Sequence, residues 1–433
     1  MRSLEMAVAV DQHHGFKPFS RSQRCRLQSY THLDHKFLQA IFDGYDHIHR
    51  SISTPCLSIT PTLEEDSSAD TNPTIEIVGG HVDDPRARAL VIEVAIALSS
   101  GVHPTPVSTG LGGAYFLRSR NGADNIAVAK PIDEGFVGQP GLKRSVRIGE
   151  TGVRELAAYL LDHGGFAGVP PTALVKISNV AFQHVAADYK IASLQRFVHH
   201  KYDAGELGSS SFSVASVHRI GIFDIRLLNL DRHAGNILVT IDRGLVPIDH
   251  GLCLPEWLDD PYFEWLHWPQ ALVPFSEYEN EYVANLDPFK DADLLRAEIP
   301  SIRESSIRVF VVCTVFLKRA TAAGLCLAEI GEMMTREFRY GEGNLSVLEI
   351  LCAQAKASLP ETRRERFHDV NYDVINGSDE KHNNETGGVS FEVMREDEWE
   401  LFLEIFEELL PDVFEGNKCC TSLRQRLGIS CKF

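Results

Sequence analysis

The sequence lacks both a long apolar run and a Cys-x-x-Cys pair. Its longest apolar stretches, near Ala89–Leu98 and Ile307–Leu317, are too short or too polar to span a bilayer, and its first residues contain no apolar segment typical of a secretory signal. The nine cysteines include no Cys-x-x-Cys pair and no histidine spacing typical of a zinc site. We therefore expect free thiols in a reducing compartment, a cytoplasmic protein and no transmembrane segment.

Positive charge is also scarce. The chain has 42 Lys and Arg residues against 60 Asp and Glu residues, which gives a net charge of −18. This balance argues against nonspecific binding to nucleic acid or to anionic lipid through overall charge, so membrane contact must come from a local patch. We expect no nucleic-acid partner, and any association with a membrane should be peripheral.

Composition divides the 433 residues into five parts. Residues 1–72 are rich in His, Ser, Thr, Asp and Pro, which predicts a flexible leader because such a segment buries little apolar area. A strand and a helix in residues 73–101 precede the main body, which spans 102–358. A polar linker (359–390) follows, and then an acidic amphipathic helix with a tail (391–433).

Apolar periodicity predicts strands first and helices later in the main body, which is typical of a two-lobed α+β fold. Tyr115–Arg118 and Ile126–Ala129 predict a hairpin that turns at Asn121-Gly122. Further strands are predicted at Ala173–Ile177, Ile237–Thr240 and Leu245–Ile248. Helices are predicted at Arg86–Ser100, Thr151–His163, Val214–Leu228, Glu279–Leu286, Ile302–Thr321, Cys326–Arg336, Leu345–Ser358 and Glu396–Leu410.

A glycine-rich segment precedes this hairpin. Gly110, Gly112 and Gly113 would let backbone N–H groups approach phosphate oxygens closely. The segment is neither a Walker loop nor a dinucleotide fingerprint, because no Gly-Lys-Ser/Thr follows and no helix opens directly after it. Taken alone, the segment is equally typical of a plain tight turn.

Two charged residues follow in the order found in kinases. Lys130 ends the second hairpin strand, where kinases place the lysine that binds phosphates. Glu155 lies on the next helix, where a kinase carboxylate pairs with that lysine. The alternative for Glu155 is a surface salt bridge with Arg154 or Lys143.

The loop before the second hairpin carries the most specific signal. It holds Asp231, Arg232, His233 and Asn236, and a further acid, Asp249, follows the hairpin. Phosphoryl transfer uses one carboxylate or imidazole at the attacking hydroxyl, and an amide and a carboxylate at the metal. His233 is a candidate general base or a candidate stabiliser of transition-state charge. The hard oxygens of Asn236 and Asp249 suit Mg²⁺, although Asn and Asp also form turns.

Two further segments allow two interpretations each. Three of the four tryptophans fall within 257–268, where they could seat a lipid headgroup or pack in the core. The acidic helix Glu396–Leu410 could bind a partner or pack its apolar side on the body.

Together these motifs resemble plant phosphatidylinositol 4-kinase gamma proteins, of the type II branch of the phosphoinositide 3-/4-kinase superfamily. The resemblance covers about residues 102–357. It implies a bilobal protein-kinase-like fold with a β-rich N-lobe and a helical C-lobe, and it implies ATP and Mg²⁺ as cofactors. The segments that carry it are Gly110–Phe116, Lys130–Glu134, Gly141–Arg144, Gly168–Thr172, Asp231–Leu238, Pro247–Leu254 and Phe263–Trp265.

The resemblance also implies roles for individual residues. The glycine segment would cover the ATP phosphates, Lys130 would bind them with Glu155 as its partner, and a hinge would hold adenine. Asp231–Leu238 would be the catalytic loop, with Asp231, Arg232, His233 and Asn236 as catalytic residues and with Asn236 and Asp249 as metal ligands. The loop after Glu134 is short beside longer family members. The implied ATP-binding residues are Thr109, Gly110, Leu111, Gly112, Gly113, Ala114, Tyr115, Lys130, Glu155, Gln195, Arg196, Phe197 and Val198.

The activity implied by the resemblance is transfer of the ATP γ-phosphate to the 4-hydroxyl of phosphatidylinositol in membranes. A protein serine/threonine kinase of the same fold is the alternative, although the sequence lacks the Ala-Pro-Glu and His-Arg-Asp motifs of protein kinases. A nucleotide-binding scaffold without turnover is a second alternative. Against it stand the intact Asp231, Asn236 and Asp249.

Overall fold

The computed structural model describes most of residues 73–426. The predicted flexible leader (1–72), most of the predicted linker, and Thr109, Gly110, Leu111 and Gly112 of the glycine segment lie outside the described residues. The described ranges are 73–79, 84–107, 113–132, 145–147, 149–178, 189–336, 338–339, 342–360 and 388–426.

The first lobe is built on an antiparallel sheet. Its strands are β1 (Thr74–Gly79), β2 (Thr105–Pro106), β3 (Tyr115–Arg118), β4 (Asn125–Pro131), β5 (Thr172–Ser178) and β6 (Lys190–Arg196). Within the described residues they lie in the order β1-β5-β6-β4-β3-β2, and each neighbouring pair is antiparallel. Two helices, α1 (Pro85–Ser99) and α2 (Thr151–Leu161), pack on this sheet.

The predicted hairpin, strand and helices of this lobe are confirmed, with shifts of one or two residues at most ends. The hairpin turns where Gly122 donates its N–H to the carbonyl of Ser119 at 2.7 Å. Gly122 has a φ of +70°, which a residue with a Cβ adopts only with strain. Strand β6 was not predicted. It lies between β5 and β4 and is largely buried on both faces, so its sequence lacks the alternation that marks a half-exposed strand.

A helix and a small sheet follow the first lobe. Helix α3 (Val214–Leu227) ends at Leu228, whose φ is +44°. Three short strands, β7 (Tyr202–Asp203), β8 (Ile237–Val239) and β9 (Leu245–Pro247), form an antiparallel sheet in that order. Strands β8 and β9 and helix α3 confirm the predictions made for these segments.

The second lobe is helical. Its central helix, α6 (Glu304–Ala322), has 15 of its 19 residues buried, as expected for a helix packed on most of its sides. The predicted helices are confirmed, but α5 (Pro288–Glu298) was missed because its sequence is mostly polar. Asp287 caps α5 and Pro288 occupies its first turn, a pairing that marks helix starts. The helices are α4 (Glu277–Asn285), α5 (Pro288–Glu298), α6 (Glu304–Ala322), α7 (Leu327–Met334) and α8 (Val347–Ala357), and α8 follows the short pair β10 (Phe338–Arg339) and β11 (Glu342–Gly343).

The acidic helix α9 (Glu396–Arg426) packs its apolar side on α6 and α8. Phe402 and Phe406 are fully buried, and Phe402 stacks on Trp399 with ring centroids 5.4 Å apart. Of the two interpretations, the structure therefore shows the packed one. The helix also continues well beyond the predicted end at Leu410, through Pro411.

Replacing Phe402 with alanine is expected to lower the free energy of unfolding by about 3–5 kcal/mol, because it removes a fully buried ring and leaves a cavity. Urea unfolding of the full chain measures this. Glu400→Ala on the exposed side of the same helix is the matched control and should change stability by less than about 0.5 kcal/mol. A loss below about 1 kcal/mol for Phe402→Ala would show that the packing of α9 does not support the fold.

Candidate active site

Lys130 on β4 is held between two carboxylates. Its Nζ lies 2.8 Å from Oε1 of Glu155 and 2.9 Å from Oδ1 of Asp249. The close approach of α2 to the sheet makes the first contact: a Cβ added at Gly152 would lie 2.7 Å from a methyl carbon of Ile132. Glycine at this position therefore lets α2 bring Glu155 over the lysine. The surface alternatives for Glu155 do not apply, since its side chain is only 2% exposed.

The pKa values of the two carboxylates shift in opposite directions. Burial raises the pKa of Glu155 and outweighs the effect of Lys130. Burial also acts to raise the pKa of Asp249, but the positive charge of Lys130, with smaller contributions from His250 and Arg232, lowers the net pKa. Burial alone would lower the pKa of Lys130, yet Asp249 and Glu155 raise it above its usual value. Glu155 is buried and Asp249 is 50% exposed, so Asp249 is the carboxylate that can turn toward a ligand.

Arg232 lies beneath the loop Asp231–Leu238 and points into the core. Its side chain is fully buried, and its Nε donates to Oδ1 of Asp224 at 3.0 Å. Its Nη1 donates to the carbonyls of Asn236 at 2.6 Å and Ile248 at 2.7 Å. Trp265 adds an indole N–H to Asp224 at 3.0 Å. Burial raises the pKa of Asp224, although Arg232 opposes this. Sequence reasoning grouped Arg232 with the catalytic residues; the structure places it where it fixes the loop instead.

Asp231 and His233 are the loop residues that reach solvent. Their side chains are 46% and 48% exposed, and Oδ2 of Asp231 lies 4.0 Å from Nε2 of His233. The backbone N–H of Gly235 donates to Nδ1 of His233 at 3.1 Å. Because Nδ1 accepts, the ring proton of a neutral His233 lies on Nε2. An acceptor carboxylate and an imidazole N–H donor therefore share this side of the loop.

Asn236 and Asp249 come from the facing ends of two paired strands. Ile237 of β8 pairs with Pro247 of β9, and the N–H of Ile248 donates to the carbonyl of Asn236 at 3.0 Å. The Asn236 amide nitrogen donates to the carbonyl of Asp231 at 3.0 Å, so this contact does not use its amide oxygen. Asp249 has a φ of +57°. One amide oxygen and one carboxylate are hard ligands of the kind that Mg²⁺ takes, so the residues fit this ion.

The predicted hinge residues contact the first lobe through their side chains. The Gln195 amide donates to Oγ1 of Thr172 at 3.0 Å, and Arg196 pairs with Glu93 at 2.7 Å. The Phe197 ring packs edge-on against Phe116 at 5.8 Å. The carbonyl of Val198 lies 2.8 Å from Nδ1 of His200. These contacts fix the hinge against the sheet at the end of β6.

Only part of the predicted glycine segment is described. Gly113 has a φ of +56°, a conformation that favours glycine. The carbonyl of Ala114 accepts from the N–H of Val107 at 2.9 Å, and Tyr115 begins β3, which pairs with the strand of Lys130. Thr109, Gly110, Leu111 and Gly112 lie outside the described residues.

Sequence reasoning missed the buried partners of the loop. Asp224 and His250 are fully buried and both contact Arg232. Asp224 lies within the apolar pattern of α3, and a charge inside such a pattern is a signal for a buried pair. Of the two interpretations of the tryptophans, the structure shows core packing for Trp265 and Trp268, whose exposed fractions are 0% and 6%.

Comparison with known proteins gives a consistent family. Residues 119–330 match the family described as phosphatidylinositol 3- and 4-kinase. Phosphatidylinositol 4-kinase gamma 1 of Arabidopsis thaliana is 58% identical over 392 residues, covering 82% of this chain and 70% of the relative. Phosphatidylinositol 4-kinase gamma 8 of the same plant is 47% identical and covers 99% of this chain and 100% of the relative. Among the described helices, none combines the length and apolar character that a membrane crossing requires.

Proposed function

The chain belongs to the phosphatidylinositol 4-kinase gamma proteins of the phosphatidylinositol 3- and 4-kinase family, and we propose that it transfers the γ-phosphate of ATP, with Mg²⁺, to the 4-hydroxyl of phosphatidylinositol. The observation that carries this proposal is the position of Lys130 between Glu155 and Asp249. Phosphoryl transfer uses a fixed cation at the phosphates and a carboxylate at the metal.

The nucleotide would be held from both lobes. Lys130, fixed by Glu155, would bind the phosphates, and Asn236 and Asp249 would hold Mg²⁺. When bound, Mg²⁺ neutralises phosphate charge and orients the transferred group. The hinge Gln195–Val198 would face the adenine, and the glycine segment would cover the phosphates with backbone N–H groups.

Asp231 and His233 would act on the attacking hydroxyl and on the charge that develops. The Asp231 carboxylate can accept the hydroxyl proton. His233 carries its proton on Nε2 when neutral, since Nδ1 accepts from Gly235, so it suits donation to a phosphate oxygen rather than service as the base. Arg232 would act only through the loop that it holds. The lipid substrate lies in membranes, so the contact would be peripheral.

The full chain incubated with radiolabelled ATP, Mg²⁺ and phosphatidylinositol micelles tests the proposal. We expect label in phosphatidylinositol, at the 4-position of the inositol ring. Label confined to protein would instead indicate a protein serine/threonine kinase. Tight ATP binding without label in either would indicate a nucleotide-binding scaffold, and both results would overturn the proposed activity.

A further inference from the structure

His250 lies behind the cleft and contacts the catalytic loop. It is fully buried, and its Nε2 lies 2.9 Å from Nη2 of Arg232. A guanidinium group only donates hydrogen bonds, so Nε2 accepts and the ring proton of a neutral His250 lies on Nδ1. Because Nε2 accepts this hydrogen bond, it carries no proton, and the ring is neutral in this arrangement.

The Nδ1 atom of His250 faces Glu155 across a short gap. It lies 3.9 Å from Oε2 of Glu155, which is longer than a hydrogen bond. Both atoms are buried, and neither has a hydrogen-bond partner within the part of the chain that the structure describes. A buried donor and a buried carboxylate oxygen are each unfavourable without a partner, so closing the gap by about 1 Å would satisfy both.

The two partners of His250 connect it to both lobes. The other oxygen of Glu155, Oε1, accepts from Lys130 at 2.8 Å. On the opposite side, Arg232 holds the Asp224 carboxylate at 3.0 Å and the carbonyls of the catalytic loop. His250 thus stands between a charge pair of the first lobe and the loop of the second.

We propose that His250 is a positioning residue that closes onto Glu155 when ATP and Mg²⁺ bind and so aligns Lys130 with the catalytic loop. This inference rests on the proposed phosphoryl transfer. In this structure Lys130 is shared between Glu155 and Asp249. The Asp249 contact is the one that a metal ion would take over, which leaves the Lys130–Glu155 pair free to move as a unit toward His250.

Two amide variants of His250 separate its two contacts. In His250→Gln the amide reaches the position of Nε2, so it keeps an acceptor for Arg232 and loses the donor toward Glu155. In His250→Asn the amide lies at the position of Nδ1, so it keeps that donor and loses the acceptor. We expect His250→Gln to lower kcat about 10- to 100-fold while KM for ATP changes by less than about 3-fold. Its thermal midpoint without nucleotide should stay within about 2 °C, because the Glu155 contact is not yet formed.

His250→Asn should show the opposite pattern. Loss of the acceptor leaves an Arg232 donor buried without a partner in every state, so the thermal midpoint should fall even without nucleotide. If His250→Gln retained wild-type kcat, the positioning role would be overturned. If both variants lost stability equally and neither changed kcat per folded molecule, His250 would be a structural residue only.

Nuclear magnetic resonance gives a readout that does not depend on turnover. In the full chain labelled with ¹⁵N-histidine, the His250 ring signals are assigned by their loss in His250→Phe. We expect the proton on Nδ1, and its resonance should move downfield when a non-hydrolysable ATP analogue and Mg²⁺ are added. A proton on Nε2, or no change on addition, would contradict the inference. If the chain transferred no phosphate, the proposed function would be wrong. The shift of the Nδ1 proton resonance would still show whether His250 closes onto Glu155.

Discussion

Replacing Asp249 with alanine is expected to lower the rate of phosphoryl transfer by at least about 100- to 1000-fold. Asp249 is the half-exposed carboxylate at the end of β9, 2.9 Å from Lys130, and it faces the end of β8 that carries Asn236. Its loss removes the only carboxylate among the two proposed metal ligands. Steady-state kinetics with ATP, Mg²⁺ and phosphatidylinositol measure the effect.

The fold should survive this substitution. Lys130 keeps its 2.8 Å contact with Glu155, and the Asp249 side chain is 50% exposed, so thermal unfolding should change little. Asp242→Ala is the matched control, because Asp242 is an exposed acid in the turn between β8 and β9. Wild-type turnover in the Asp249 variant, or an equal loss in the Asp242 variant, would refute the assignment of the metal ligands.

Replacing Arg232 with methionine is expected to lower the free energy of unfolding by about 3–5 kcal/mol. Arg232 and Asp224 are both fully buried, so the substitution leaves a carboxylate without its cation in the core. It also removes the donors to the carbonyls of Asn236 and Ile248, which hold the loop against the hairpin. Urea unfolding of the full chain measures the change.

Two controls make this second prediction specific. Arg243→Met removes an exposed arginine from the nearby turn and should change stability by less than about 0.5 kcal/mol. The double variant Asp224→Leu/Arg232→Met removes both charges and should recover part of the loss, because no unpaired charge stays buried. A single variant as stable as the control would show that Arg232 does not hold the loop.

Local patterns predicted most of the elements, and the exceptions have identifiable causes. Helix α5 was not predicted because its sequence is polar, although Asp287-Pro288 marks its start. Strand β6 was not predicted because both of its faces are covered, so its sequence lacks the alternation of a half-exposed strand. The predicted end of helix α9 at Leu410 came too early. A proline such as Pro411 is typical of a helix end, but here it lies inside the helix.

Parts of the candidate site followed from local spacing and parts did not. Asn236 and Asp249 flank a predicted hairpin, so the sequence alone placed them near each other, as the pairing of β8 with β9 shows. The direction of Arg232 depends on Asp224 in the preceding helix, and no spacing rule connects those two. The contacts of Lys130 with Glu155 and Asp249 join distant segments. Only the order of residues found in kinases suggested the first contact, and nothing in the sequence suggested the second.

We propose that Asn236 and Asp249 coordinate a divalent ion beside the phosphates that Lys130 binds. A crystal structure of the full chain with Mn²⁺ and a non-hydrolysable ATP analogue tests it most directly, because anomalous scattering locates Mn²⁺ independently. We predict a metal peak within about 2.0–2.4 Å of the Asn236 amide oxygen and of an Asp249 carboxylate oxygen. A metal bound to the nucleotide with both of these side chains out of reach would contradict the account.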